Sequence, residues 1–218
     1  MFEIVLDTET TGLNANKGDK VCEIGCILLE NHMPTGSSYH TFINPEREMP
    51  AEAEAVHGLS SEFLKSKPKF RDVADEFLSF VGSFPVIAHN ASFDVGFLNT
   101  ELNLIDKPEI TLSRVIDTVA IAKKKFPGAP VNLDALCRRF QIDLSNRAKH
   151  GALIDAELLS RVYLELIGGR EPGLEFGTRD NGGLETMTPV SRVYRQPRFY
   201  SASDEELLAH KKFMDNLK

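Results

Sequence analysis

The chain has 218 residues, 42% of them hydrophobic and 26% charged, which is enough apolar material for a buried core and excludes wholesale disorder. With 25 basic against 32 acidic side chains the formal charge is −7. That balance argues against coating long nucleic acid through counterion release, but not against touching a few nucleotides at a chain end.

Cys22, Cys26 and Cys137 contain no CxxC pair. They are expected to be buried thiols in a reducing cytosol rather than disulfide or zinc ligands. The N-terminal stretch has no basic region, and no segment approaches 18 apolar residues, so a soluble, cytoplasmic protein is expected.

In chain order, Ile4-Val5-Leu6 reads as a buried strand ending near Thr10-Thr11-Gly12. Further strands are predicted at Val21 to Leu29 and around His40 to Ile43, with short connections that suggest an antiparallel meander. Helical spacing begins at Ala51 to Val56 and continues at Phe70 to Val81. Pro85 to Ala88 reads as a strand, and Asn90 is positioned to cap a helix from Ala91 to Leu102. Helices are predicted over Val115 to Phe126, Asn132 to Phe140 and Ala152 to Ile167. The fold class is therefore α/β, one mixed sheet flanked by helices.

Residues 168–189 hold six of the fifteen glycines and read as a linker. Beyond it, Ser203 and Glu206 form a capping box ahead of a helix running to about Leu217. Val190 to Tyr200 alternates Arg with apolar residues. Such a tail cannot build its own core, so it either docks back or binds a partner.

Four acids stand out. Asp7 and Glu9 share one face at the end of the first strand, where they are either solvated or in need of a cation. Asp94 lies in the first turn of its helix, where it complements the helix dipole or joins a site. Asp155 leads an inward stripe with Leu158, Leu159, Val162 and Leu166, where an ionised group needs a partner. Arg161 is a poor candidate, being about 240° round the helix. His150 belongs to the loop before that helix, from which a histidine can accept a proton near neutral pH. Oxygen-only ligands suit Mg²⁺ or Mn²⁺, and two such ions would offset four negative charges and serve phosphoryl transfer.

Asp7-Thr8-Glu9-Thr10-Thr11-Gly12, His89-Asn90-Ala91-Ser92-Phe93-Asp94 and His150-Gly151-Ala152-Leu153-Ile154-Asp155-Ala156 resemble, in order, the three motifs of the histidine-type (DEDDh) branch of the DnaQ-like 3′-to-5′ exonucleases. Val56-His57-Gly58-Leu59, Phe126-Pro127-Gly128, Leu133-Asp134-Ala135-Leu136-Cys137 and the Asp204 to His210 stretch bring the likeness to the epsilon proofreading subunits of bacterial DNA polymerase III.

The resemblance implies an RNase H-like, five-stranded mixed sheet with a flexible C-terminal tail, and an exonuclease domain over 1–167 that releases 5′-mononucleotides from DNA 3′ ends. It implies Asp7, Glu9, Asp94 and Asp155 as ligands of two divalent cations, with His150 as general base. It also implies contact with the substrate by Asp7, Glu9, Asp155, Glu52 and His57. Glu171-Pro172-Gly173-Leu174-Glu175-Phe176 resembles a sliding-clamp motif with Leu174 and Phe176 in place and Glu171 where glutamine is usual. Residues 190–218 resemble the segment that binds the polymerase alpha subunit. Two other readings stay open: a stand-alone exonuclease trimming RNA, and a tether between polymerase and clamp.

Overall fold

The structure is a computed structural model that describes residues 1–145, 150–169 and 202–216. The chain divides into two units, Met1–Leu174 and Glu175–Lys218.

In the first unit, β1 (Phe2–Thr10), β2 (Val21–Glu30) and β3 (Met33–Phe42) form the antiparallel meander. β4 (Val86–Ala88) and β5 (Val115–Asp117) add in parallel on the other side, giving the order β3-β2-β1-β4-β5. β1 is thus central, and its period-2 alternation divides the core. Ile4 and Leu6 pack with Phe77 and Val81 of α3 (Phe70–Val81) and Leu98 and Leu102 of α4 (Ala91–Asn103). Val5 packs on the opposite face with Leu159, Val162 and Leu166 of α7 (Ala152–Leu166).

Alternate residues of β1 at its C-terminal end must therefore face alternate helix layers. Burial of these apolar side chains stabilises the unit by about 25 cal/mol for each Å² removed from water.

Shorter elements complete the unit: α1 (Ala51–His57), α2 (Ser61–Lys65), α5 (Thr118–Lys125) and α6 (Leu133–Arg139). The turn at Pro127 to Pro130 separates α5 from α6, and the Asn132 side chain caps α6 by accepting from the Ala135 N–H at 2.8 Å. The three cysteines are buried and none is in a disulfide. Among the described residues no helix is long and apolar enough to cross a membrane.

Three sequence expectations need correction. The helix expected from Val115 begins only at Thr118: the β-branched pair Val115-Ile116 hydrogen-bonds to β4, and Asp117 caps α5 through the Val119 N–H at 2.9 Å. Asn90 does not cap α4 with its side chain. Its backbone is left-handed, with φ 67°, and its N–H is given to Asp117 at 3.1 Å. β3 begins at Met33, well before the expected His40, because an edge strand needs few apolar residues.

In the second unit the described residues form α8 (Asp204–Asp215), opened by the expected Ser203–Glu206 capping box. No residue of α8 is buried. The motif at 171–176, most of the 168–189 linker and residues 190–201 lie outside the described residues.

Candidate active site

β1 and β2 lose register between Glu9 and Thr10, a bulge at the end of the central strand of the kind that re-aims side chains. Asp7 and Glu9 follow Val5 onto the α7 face; Asp7 is half-buried and Glu9 buried. Opposite Asp7 in the register stands Gly25. A Cβ at that position would run into the backbone of Ala152 and Leu153, so the missing side chain is what lets the first turn of α7 lie directly on the sheet.

That close approach delivers Asp155, 3% exposed, to the end of β1. His150 is on the loop ahead of α7, as its sequence position implied. The loop is tied by its N–H to the Val56 carbonyl at 3.4 Å, and the His150 Nδ1 lies 3.2 Å from Asp155 Oδ2. The ligand atoms of Glu9, His150 and Asp155 lie within 4.8 Å of one another.

Asp94 arrives from the other layer. Its Oδ1 accepts from the Thr8 N–H at 3.0 Å and from the Thr8 hydroxyl at 2.7 Å, which fixes it beside the residue between Asp7 and Glu9. Asp94 is 3% exposed, and burial pushes its pKa up to about 7, against the Thr8 hydrogen bonds that pull it down. A helix-dipole role alone would leave this carboxylate at the surface. Thr8 was not singled out from sequence, although its place between the two acids on the α4 face is the signal that could have found it.

Glu9 also borders a cleft of about 510 Å³ formed with Thr10, Thr11, Leu13, Phe93 and α1. Glu52 is exposed on one wall. His57, at the C-terminal end of α1, is buried; its Nδ1 accepts from the Leu59 N–H at 3.0 Å. Its Nε2 is buried with no hydrogen-bond partner. Burial holds the His57 pKa below the usual histidine value, and the neighbouring Thr10 carbonyl, short of a proper hydrogen bond, offsets this in part.

Glu23 escaped sequence reading too. It is buried directly across β1–β2 from Glu9 and holds His40 Nε2 at 2.7 Å. An acid at an inward position of the apolar run Val21 to Leu29 was its only signal.

Carboxylates from Glu9 and Asp155, with an imidazole beside them and two more carboxylates at the same strand end, make a donor set that fits a hard divalent cation. Concentrated buried negative charge of this kind is costly unless a cation offsets it.

A family model for exonucleases, RNase_T, matches residues 4–163. The chain is 45% identical over 220 residues to DNA polymerase III subunit epsilon of Rickettsia felis, covering 99% of this chain and 96% of that protein. It is 41% identical to the subunit of the same name from Escherichia coli, covering 98% and 92%. Its fold is similar to that of exonuclease X in complex with 5′ overhanging duplex DNA, with a TM-score of 0.60, 23% identity and coverage of 75% and 90%. It is also similar to the nuclease domain of 3′hExo, a DEDDh family member bound to rAMP, with a TM-score of 0.66, 15% identity and coverage of 76% and 91%.

The chain belongs to the exonuclease family that includes the DNA polymerase III epsilon subunits. It is an enzyme, a proofreading 3′-to-5′ exonuclease, of a family that uses divalent metal ions.

Proposed function

We propose that this chain works as the proofreading subunit of a DNA polymerase III, removing mispaired nucleotides from DNA 3′ ends as 5′-mononucleotides. The observation that carries this reading is the meeting of Glu9, Asp155 and His150 at the end of β1, in a chain so similar over its whole length to epsilon subunits. Asp7, Glu9, Asp94 and Asp155 are the residues that would hold two divalent cations, Mg²⁺ or Mn²⁺. When bound, these supply positive charge for the attacking and leaving oxygens of the terminal phosphodiester.

His150 takes the proton of the attacking water. With Nδ1 donating to Asp155 Oδ2, the neutral ring presents Nε2 as the acceptor, and the carboxylate stabilises the imidazolium that forms. The terminal nucleotide occupies the cleft beside Glu9, with Glu52 and His57 on its walls and the exposed Leu13 and half-buried Phe93 against the base. Only an unpaired end can enter, so a mismatch is selected by its lower unpairing cost. Residues 1–167 are the exonuclease domain and 168–189 a linker whose 171–176 motif binds the sliding clamp. Residues 190–218 bind the polymerase alpha subunit, and the protein works in the cytoplasm.

The test is nucleotide release from a 3′-mismatched primer with Mg²⁺. Asp155→Ala is expected to remove nearly all activity, EDTA to do the same, and His150→Ala to cost on the order of 10²- to 10⁴-fold. Retained activity in Asp155→Ala sinks the site assignment. Equal or faster release from a matched RNA oligonucleotide would turn the reading toward RNA trimming.

A further inference from the structure

A second cleft, of about 360 Å³, lies across the 12–20 loop from the first. Four cations line it, Lys17, Lys20, Arg47 and Arg71, against two acids, Glu46 and Glu101, in a chain that is acidic overall. Both acids are already paired, Glu101 with Lys20 at 3.1 Å and Glu46 with Lys69; Arg47 is paired with Asp19 at 2.8 Å. Among the described residues, Lys17 and Arg71 have no ion-pair partner, and both are exposed. Ile43, Leu104 and Ile105 supply an apolar wall between the cations, and Leu104 is 65% exposed.

The cleft is connected to the active site. Asp19 lines the first cleft and Gly18 the second, and Arg47 holds that loop by donating to Gly18 O and Asp19 Oδ1. α4 measures the separation: Asp94 stands at the site and Leu104 on the cleft wall, ten residues on, or about 15 Å along the helix. At 3.4 Å per stacked nucleotide this is about four nucleotides.

We propose that this cleft grips the phosphate backbone of the substrate strand about four nucleotides before its 3′ end, with Lys17 and Arg71 as the groups that engage phosphate. Cations alternating with apolar surface suit a single strand, whose phosphates and bases seek the two in turn. The inference rests on the exonuclease reading of the first cleft, and it gives an acidic protein a local hold on DNA.

Steady-state kinetics of the full chain on single-stranded DNA of 3 and 10 nucleotides tests it, with Lys17→Ala, Arg71→Ala and the double variant at several salt concentrations. The 10-nucleotide substrate should lose affinity, with KM raised several-fold and kcat unchanged. The slope of log KM against log salt should be shallower by about 1.4 in the double variant, two phosphates at about 0.7 each for single strands. The 3-nucleotide substrate should be hydrolysed by all variants alike. Unchanged KM and salt slope on the longer strand overturn the proposal, and so does an equal loss on both lengths, which would mean damage to the site itself. If 10-nucleotide binding is intact but an acidic polypeptide no longer protects the cleft from lysine-directed labelling in the variants, the cleft serves a protein and the proposal fails. Wild-type protein inert on both lengths would instead refute the exonuclease reading.

Discussion

The side chains at the end of β1 act through their surroundings. Asp94 has its carboxyl group buried against Thr8, Asp155 is pressed into the α7 stripe, and His150 is held between the Val56 carbonyl and Asp155. Two other histidines set a pH limit on stability. Burial lowers the pKa of both His57 and His89, and His89 Nδ1 also meets the Thr118 hydroxyl at 2.9 Å. The unfolded chain takes up protons at these histidines near pH 6.5 while the folded chain resists them, so the native state binds fewer protons. Stability from these groups is present above about pH 6.5 and is lost as pH falls below it. Asp94, whose raised pKa lets the folded state take up a proton in the same range, acts in the opposite sense, so the histidine effect is read by difference. The Tm of His89→Gln relative to the unsubstituted protein should rise as pH falls from about 7 to about 5, and a constant difference would remove His89 as a cause.

At the scale of elements, one glycine decides the site. Gly25 sits in β2, far in sequence from every proposed catalytic group, yet its missing side chain sets the depth at which α7 meets the sheet. Gly25→Ala should push the first turn of α7 outward, moving Asp155 and His150 off Glu9. Overpacking of this kind costs about 1–3 kcal/mol, readable as a lower denaturation midpoint, and exonuclease activity should fall by far more than stability. A variant with full activity would show that α7 is not positioned through this contact. Smaller elements follow local rules: Asn132→Ala should cost about 1 kcal/mol in urea unfolding, because it removes the α6 cap and touches nothing in the site.

For the whole molecule, the core clusters among the described residues all end by Leu166, and α8 contributes no buried residue. A chain truncated after residue 169 should therefore keep its cooperative unfolding transition and its exonuclease activity. The same truncation should abolish co-elution with the polymerase subunit, and retained binding would refute the tail assignment. Net charge belongs to this scale as well. With two divalent cations on the four proposed site acids, a chain of −7 would stand nearer −3, since −7 + 4 = −3. The basic cleft adds a second, local exception to the acidity.

Much of this protein is legible in the sequence because the signals are local. The helical periods of α3, α4 and α7, the apolar runs of β1, β2 and β4, and the capping box of α8 each need only a few neighbouring residues to be read. Asp155 was legible by type, since an acid heading an apolar stripe is physically out of place without a partner, whereas Asp7, Glu9, Asp94 and His150 stood out only in combination and through the resemblance of their motifs. Other features depend on contacts between distant segments. Val115-Ile116-Asp117 is strand rather than helix because β4 lies beside it, and Asn90 turns left-handed because Asp117 receives its N–H. Thr8 matters because Asp94 packs on it from 86 residues away, and Glu23 because β2 brings it opposite Glu9. The sequence by itself determined the class of fold through periodicity, and it marked the candidate site residues through misplaced charge and the resemblance of three motifs. Only the tertiary structure decided which atoms meet, because distances across a sheet are set by strand register and by how closely a helix can approach a glycine.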